Sequence, residues 1–283
     1  MRRQRRARLL VVAALLTPAV ACSGGAGSPA VRTPAADGLP RSMAALGDSM
    51  TRAFILCEGA GDCPEASWST GTAAEVLSHS QRLSRASGER TRVHNVAVSG
   101  ATVAGLDSQA ARAVAADVEY VTVLIGANDA CAPAEADMTS VAAYTADFDR
   151  ALSRVVSGLP RARVLVVSIP DLLRLWQVGK DDAAVRAVWE QLSICQSMLA
   201  EPADQSAAAA ARRARVRQRV VDYNTAMANA CRRHPTCRSD GGAVFDYDFT
   251  IEMVSDRDYW HPSRVGQRTI AAVSWTAGYW GGR

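Results

Sequence analysis

Short apolar runs of strand length alternate with alanine-rich stretches of helical length along most of this chain of 283 residues. Such runs, rich in β-branched residues, are typical of buried strands, and the longer stretches between them are typical of helices. The expected strands are residues 42–46, 93–98, 120–125, 164–169 and 243–245. The expected helices are residues 71–84, 106–117, 140–157, 182–199, 207–231 and 263–275. This alternation predicts an α/β fold, a three-layer α/β/α sandwich around a central parallel sheet.

The first 21 residues have the pattern of an export signal. Arginines crowd its start, an apolar run follows at residues 9–16, and small residues precede Cys22. The apolar run is too short to span a bilayer, and no later segment of the sequence is long and apolar enough to do so. We therefore assign residues 1–21 to a signal peptide, residues 22–41 to a flexible linker rich in Gly, Ser and Pro, and residues 42–283 to one folded domain.

Cys22 leaves two interpretations of the cleavage site open. A Cys directly after the cut, followed by a Gly- and Ser-rich tether, resembles the lipid attachment site of a bacterial lipoprotein. The small residues 19–21 also suit ordinary signal peptidase. We expect an exported protein, either secreted or held at the outer face of the membrane by a lipid on Cys22, and favour the anchored form.

The basic charge of the chain belongs to this leader. The formal net charge of +4 falls to −1 when the five leader arginines, at positions 2, 3, 5, 6 and 8, are removed with it. The charge of the remaining chain therefore does not favour nucleic acid as a partner. We also expect the protein to be a monomer.

Six cysteines remain when Cys22 is set aside, and an even number in an exported chain indicates disulfides. Two pairs are each six residues apart, across segments rich in Gly or Pro, which leaves the other two to pair with each other. This spacing favours Cys57–Cys63, Cys131–Cys195 and Cys231–Cys237. Cys-x-x-Cys spacing is absent and the four His residues are scattered, so we expect no metal site.

A Ser and a His follow the first and last predicted strands. Ligands of an open parallel sheet bind beyond the carboxyl ends of its strands, where Ser49 in the sequence Gly-Asp-Ser would face them. A Ser nucleophile needs a base, and neutral His is the side chain best suited to that task near neutral pH. His261 supplies the base, and Asp258, three residues earlier, can hold the imidazole in one tautomer.

Two further turns can supply donors for the oxyanion of an acyl-transfer intermediate. Gly100 follows the second strand, where its backbone N–H can approach a ligand without a side chain in the way. Asn128 follows the third strand and offers a side-chain amide. Each turn alone has an ordinary structural explanation, but together they place Ser, Gly, Asn and His at strand ends in that order.

These residues resemble the SGNH hydrolases, also called GDSL lipases and esterases, over about residues 43–275. The segments are residues 47–49, Gly100, residues 126–129 and residues 258–261. The resemblance implies a flavodoxin-like SGNH fold, Ser49 as nucleophile, His261 as base and Asp258 as its partner. It also implies an oxyanion hole of the Ser49 and Gly100 N–H groups and the Asn128 amide.

Two details refine the resemblance. Met50 stands where the family name has Leu, a departure at a position without a catalytic role. The sequence Trp-Ser-Thr-Gly at residues 68–71 and the Cys at 131 are similar to the phospholipase-B-like branch of the family.

The function that follows is an exported carboxylic ester hydrolase, a lipase or esterase and in the phospholipase-B-like case a phospholipase, that needs no cofactor. Its substrate is a small-molecule or lipid ester. One alternative is a carbohydrate O-acetyl esterase of the cell envelope, and another is a surface-anchored binding module without catalysis. The α/β-hydrolase fold is the nearest enzymatic rival, but its Gly-x-Ser-x-Gly motif is absent. Apolar residues that could line an acyl groove are Phe54, Ile55, Leu56, Leu172, Leu173, Trp176 and Trp260.

Overall fold

Five parallel strands form the central sheet of the computed structural model, which describes residues 38–281. The predicted signal peptide, Cys22 and the linker up to residue 37 lie outside these residues. The strands are β1 (Ser42–Gly47), β2 (Arg92–Asn95), β3 (Tyr120–Leu124), β4 (Arg163–Val166) and β5 (Cys237–Ser239). They lie in the order β2-β1-β3-β4-β5, and every neighbouring pair is parallel. This confirms the predicted α/β fold.

The strand order fixes where a ligand can bind. From β1 the chain moves to β2 on one side and then returns to β3 on the other side, so the order reverses between β1 and β3. The loops that leave these two strands diverge and open a crevice beyond their carboxyl ends. Every residue of β1 and β3 is buried, as expected for the central strands of a sheet covered on both faces.

Helices flank the sheet and connect its strands. They are α1 (His79–Ser87), α2 (Leu106–Ala115), α3 (Ala127–Ala130), α4 (Val141–Gly158), α5 (Leu172–Gly179), α6 (Ala183–Gln191), α7 (Gln196–Leu199), α8 (Ala207–Arg232) and α9 (Arg264–Ala277). Four single 3₁₀ turns lie at Pro64–Ala66, Val103–Gly105, Glu135–Asp137 and Ile251–Met253. Helix α2 packs against α4, and α4 packs against α8. Among the described residues, none of the helices has the length and apolarity needed to cross a membrane.

The fifth strand is not where the sequence predicted it. Residues 243–245 lie in a turn, and β5 is instead the short polar segment Cys237–Ser239. The reason is Asp240, whose carboxylate accepts hydrogen bonds from the N–H groups of Gly242 and Val244, both at 3.1 Å. These bonds turn the chain directly after β5, so the apolar residues that follow enter the core without pairing.

Two helical predictions also need correction, and one helix was not predicted. The predicted helix at residues 71–84 begins only at His79, because Ser78 and Gln81 form a capping box there. The predicted helix at 182–199 breaks into α6 and α7, since Cys195 between them is left-handed with φ of 44°. Helix α5 was not predicted, although Asp171 caps its first turn by accepting a hydrogen bond from Leu173 N–H.

All six described cysteines form disulfides, in the pairs that the spacing favoured: Cys57–Cys63, Cys131–Cys195 and Cys231–Cys237. The middle pair joins the residue after α3 to the residue before α7, and so ties the segment that follows β3 to a distant part of the chain.

A buried histidine links the sheet to α9. The hydroxyl of Ser274 donates to the Ile270 carbonyl oxygen at 2.5 Å, so its oxygen is left to accept a hydrogen bond from His79 Nε2–H at 2.9 Å. The other ring nitrogen, Nδ1, then accepts from the Tyr120 hydroxyl at 2.9 Å. Burial, with a smaller contribution from the positive charge of Arg82, lowers the pKa of His79 to about 3. The core therefore holds this imidazole neutral.

This histidine should make the protein acid-sensitive. Its pKa is lower in the folded state than the unfolded value near 6.5, so its contribution to stability is complete above that pH and is lost as the pH falls toward 3. The free energy of unfolding should fall by up to about 1.4 kcal/mol per pH unit from this group. Urea titrations from pH 7 to pH 4 measure the slope. His79→Gln should lower stability at pH 7 but flatten the slope, and an unchanged slope in the variant would assign the acid sensitivity to other groups.

Candidate active site

The turn that carries Ser49 leaves β1 at Gly47, where only glycine fits. The φ of Gly47 is +151°, and a Cβ there would lie 2.3 Å from the Leu124 carbonyl oxygen. The buried amide of Gln109 on α2 holds this residue from both sides: Oε1 accepts from Gly47 N–H at 2.8 Å and Nε2 donates to its carbonyl oxygen at 2.9 Å. The nucleophile turn therefore starts from a fixed peptide.

Two more amides, the buried Gln267 and the half-buried Asn95, hold the rest of this turn. Gln267 on α9 donates from Nε2 to the Met50 carbonyl oxygen at 2.8 Å, while its Oε1 accepts from Trp68 N–H at 2.8 Å. Asn95 at the end of β2 donates from Nδ2 to the Thr51 carbonyl oxygen at 3.0 Å. These amides were not among the predicted site residues, because each is far along the chain from the turn that it holds.

Ser49, His261 and Asp258 form a continuous chain of hydrogen bonds. Ser49 Oγ lies 2.8 Å from His261 Nε2, and His261 Nδ1 lies 2.6 Å from Asp258 Oδ2. A carboxylate can only accept, so Nδ1–H donates to it and Nε2 is free to accept the proton of the Ser49 hydroxyl. Ser49 is 7% exposed and Asp258 is 5% exposed, so bulk water has little access to these hydrogen bonds.

A tight turn fixes the Asp and the His relative to each other. Asp258 Oδ1 accepts from the backbone N–H groups of Trp260 at 3.0 Å and His261 at 3.1 Å, so its other oxygen points at the imidazole. Tyr259 between them has a φ of +51°, a conformation that costs a residue with a Cβ about 1 kcal/mol or more. The indole N–H of the fully buried Trp189 donates to the Tyr259 carbonyl oxygen at 2.8 Å and helps to hold this conformation.

The three expected oxyanion donors lie on neighbouring turns. Within residues 38–281, the backbone N–H groups of Ser49 and Gly100 have no hydrogen-bond acceptor. Gly100 has a φ of +79°, which favours glycine at this position. The Asn128 amide donates one proton to the Ala101 carbonyl oxygen at 2.9 Å, and its second N–H remains free for a ligand. Three donors without an acceptor therefore lie on the turns that follow β1, β2 and β3.

Asp129, next to Asn128, connects the turn that follows β3 to the turn that follows β2. Its Oδ2 accepts from the Val103 N–H at 2.9 Å, and its carbonyl oxygen accepts from Thr139 N–H at 3.0 Å. The two contacts from residues 128 and 129 hold the segment from Ala101 to Val103 on one side.

Three buried carboxyl groups surround the site, and their environments differ. Burial raises the pKa of Asp48 to about 7, against the opposing hydrogen bond from Met50 N–H. Burial also raises the pKa of Asp129. Burial acts on Asp258 in the same direction, but hydrogen bonds from the His261 side chain and from the backbone outweigh it, and the pKa of Asp258 lies below its usual value. Asp258 is therefore the carboxylate best able to stabilise a positive imidazolium.

An apolar pocket begins at Ser49 and Asn128. The space within it that can hold the centre of a water molecule is about 60 Å³. Its apolar walls come from α5, from the segment before the His turn and from α9: Leu172, Leu175, Val178, Phe249, Val254 and Ile270.

The apolar residues suggested for an acyl groove have different places in the structure. Leu172 and Trp260 line the pocket. Phe54 packs on the imidazole of His261, with ring centroids 5.0 Å apart. Trp176 has a structural role instead, since its ring lies 4.1 Å from the guanidinium carbon of the buried Arg213.

Comparisons with known proteins identify the family of this chain and support its fold. The family model described as GDSL-like Lipase/Acylhydrolase matches residues 43–273. A search of curated proteins found no significant match. LAE5, an alpha/beta hydrolase enzyme from the metagenome of Lake Arreo in Spain, is a similar solved structure, with a TM-score of 0.54 and 19% identity over 84% of this chain and 94% of that one. The extracellular lipase of Streptomyces rimosus has a TM-score of 0.51 and 18% identity over 84% and 99%. TesA has a TM-score of 0.50 and 15% identity over 83% and 97%.

These structural likenesses, at such low identity, define the class of fold: a parallel α/β sheet with flanking helices, shared with hydrolases. The family match covers most of the chain and is more specific. The chain belongs to the GDSL-like lipase/acylhydrolase family, the SGNH hydrolases, whose members act on esters.

Proposed function

We propose that this chain is a carboxylic ester hydrolase that works through an acyl-enzyme on Ser49. The observation that carries the proposal is the hydrogen-bond chain from Asp258 through His261 to Ser49. The three unused N–H donors beside it fit the second requirement of acyl transfer, a site for the oxyanion.

The reaction follows from these contacts. His261 Nε2 accepts the Ser49 proton as Oγ bonds to the ester carbonyl carbon, and the carbonyl electron pair moves to its oxygen. The N–H groups of Ser49, Gly100 and Asn128 stabilise that oxyanion. The imidazolium then gives its proton to the leaving alcohol as the C–O bond breaks. A water molecule then attacks the acyl carbon of the acyl-enzyme while His261 accepts its proton. The bond to Ser49 Oγ breaks, His261 returns the proton to Ser49, and the acid is released.

The pocket favours an acyl chain longer than acetyl. An acetyl group would leave most of its apolar wall without a partner, whereas each buried methylene contributes about 0.8 kcal/mol. We therefore propose lipid or fatty-acyl esters as the substrates. The second candidate function is a carbohydrate O-acetyl esterase. The three disulfides support export to an oxidising compartment, with Cys22 as the proposed lipid anchor.

Covalent labelling tests the nucleophile directly. A phosphonate ester that carries a good leaving group should modify the protein once, and peptide mass spectrometry should place the adduct on Ser49. His261→Ala should slow the labelling strongly, since the hydroxyl then has no base. An adduct on another residue at the same rate would contradict the proposal.

Substitution in the pocket should change the chain-length preference. Leu175→Trp fills space that a chain would occupy, so the ratio of kcat/KM for an octanoyl ester over an acetyl ester should fall by roughly 10-fold or more. The measurement is hydrolysis of chromogenic esters with acyl chains of increasing length. Leu192→Trp, at a position that is 53% exposed, is the matched control and should keep the wild-type ratio. A wild-type preference for the acetyl ester would favour the carbohydrate esterase instead.

A further inference from the structure

A small loop closed by a disulfide contacts the turns that carry Gly100 and Asp258. Cys57 and Cys63 close it, and we call residues 57–63 the mouth loop. Two backbone hydrogen bonds fix its base: Ile55 N–H donates to the Gly61 carbonyl oxygen at 2.7 Å, and Cys63 N–H donates to the Arg52 carbonyl oxygen at 3.0 Å. These two bonds fix the loop to Arg52 and Ile55, on the segment that follows Ser49.

Asp62 in the mouth loop contacts the turn that carries Gly100. One carboxylate oxygen accepts a hydrogen bond from the Ser99 hydroxyl. The other lies 2.7 Å from Arg52 Nε, which orients the carboxylate. Ser99 directly precedes Gly100, so the peptide that carries the Gly100 N–H begins at the residue that Asp62 holds.

The Gly100 peptide depends on its neighbours for orientation. Its N–H has no acceptor within the described chain, the residue is exposed, and glycine has no side chain to restrict its backbone. Asn128 holds the following residue, Ala101, from one side. The side chain that holds the preceding residue is that of Asp62.

The same loop also contacts the turn of Asp258. Arg257, directly before Asp258, donates from Nη1 to the carbonyl oxygens of Ile55 at 2.8 Å and Cys57 at 2.7 Å. The mouth loop thus connects the oxyanion side of the site to the acid-base side.

We propose that Asp62 is a positioning residue, which acts through Ser99 to aim the Gly100 N–H at the oxyanion; this rests on the proposed function. It touches none of the reacting atoms. Its effect should fall on the step in which the oxyanion forms, because a donor for that charge is used in the transition state and much less in the bound substrate.

The expected size is smaller than the loss of a donor. Complete loss of one oxyanion donor costs about 100- to 1,000-fold in kcat, and a donor that is present but poorly aimed should cost a fraction of that. Asp62→Ala and Ser99→Ala should each lower kcat for a chromogenic ester roughly 5- to 20-fold, with KM changed less than about 2-fold.

Two comparisons separate this role from general damage to the loop. The double variant Asp62→Ala/Ser99→Ala should be no slower than the worse single variant, since both remove the same contact. Asp62→Asn keeps an oxygen that can accept from Ser99 and should recover most of the lost kcat. Glu58→Ala removes the same charge from an exposed position in the same loop and should match the wild type.

Each other outcome overturns the proposal. Asp62→Ala with wild-type kcat, a loss confined to KM, or additive losses in the double variant would each do so. If Asp62→Ala fails to fold, Ser99→Ala alone decides, because a wild-type kcat there removes the proposed connection. A Ser49→Ala sample in the same assay keeps the two proposals apart: activity there would contradict the function, whereas its loss beside an unaffected Asp62→Ala would contradict only the positioning role.

Discussion

Ser49→Ala is expected to lower kcat for ester hydrolysis by about 10⁴-fold or more, with the fold intact. In the proposed mechanism the hydroxyl oxygen is the atom that bonds to the substrate, and no other hydroxyl lies within hydrogen-bond distance of His261 Nε2 among residues 38–281. His261→Ala should cause a similar loss, because the hydroxyl is a weak nucleophile without a base. The double variant should be no slower than either single one, since the two residues act as a unit.

The measurement is the steady-state rate with a chromogenic ester, at enzyme concentrations high enough to detect the residual activity. Ser108→Ala, an exposed Ser on α2, is the matched control and should retain the wild-type kcat. Circular dichroism and the unfolding midpoint should show that each variant is folded. Wild-type turnover in Ser49→Ala would remove the proposed mechanism.

Asn128→Ala is expected to lower kcat by about 100- to 1,000-fold, with little change in KM. In the proposed mechanism its free N–H donates to the developing oxyanion, so its loss should be felt mainly in the transition state. The variant also loses the hydrogen bond to the Ala101 carbonyl oxygen, which adds a small cost in stability, of about 1 kcal/mol.

Kinetics with the same ester, together with urea unfolding, separates these two effects. Asn229→Ala, at an exposed position on α8, makes the same chemical change away from the site and should leave kcat and KM unchanged. A large rise in KM with kcat preserved would assign Asn128 to substrate binding and not to the oxyanion.

The parallel sheet could be predicted from the sequence because its central strands are mostly apolar. β1 and β3 are buried on both faces, and such strands read as continuous apolar runs. The turns after these strands carry Ser49 and Asn128, whose types and order are local features of the sequence. Local patterns of this kind are visible before any contact between distant residues is known.

The parts that were missed depend on contacts between distant residues. β5 is three residues long and polar, so it pairs only because the edge of β4 is available to it. The amides of Gln109 and Gln267 hold the nucleophile turn from helices 62 and 217 residues away from the groups they bind. No spacing in the sequence connects such pairs, and a buried Gln has no pattern that separates it from a Gln at the surface.

The contact between Ser49 and His261 joins residues 212 positions apart. Contacts of this range form late in folding, because the intervening chain must first be ordered. A chain that is still being made would hold Ser49 without its proposed base, because His261 is added 212 residues later. Esterase activity should therefore appear only at the end of folding. In refolding assays, we expect this activity to recover later than most of the secondary structure.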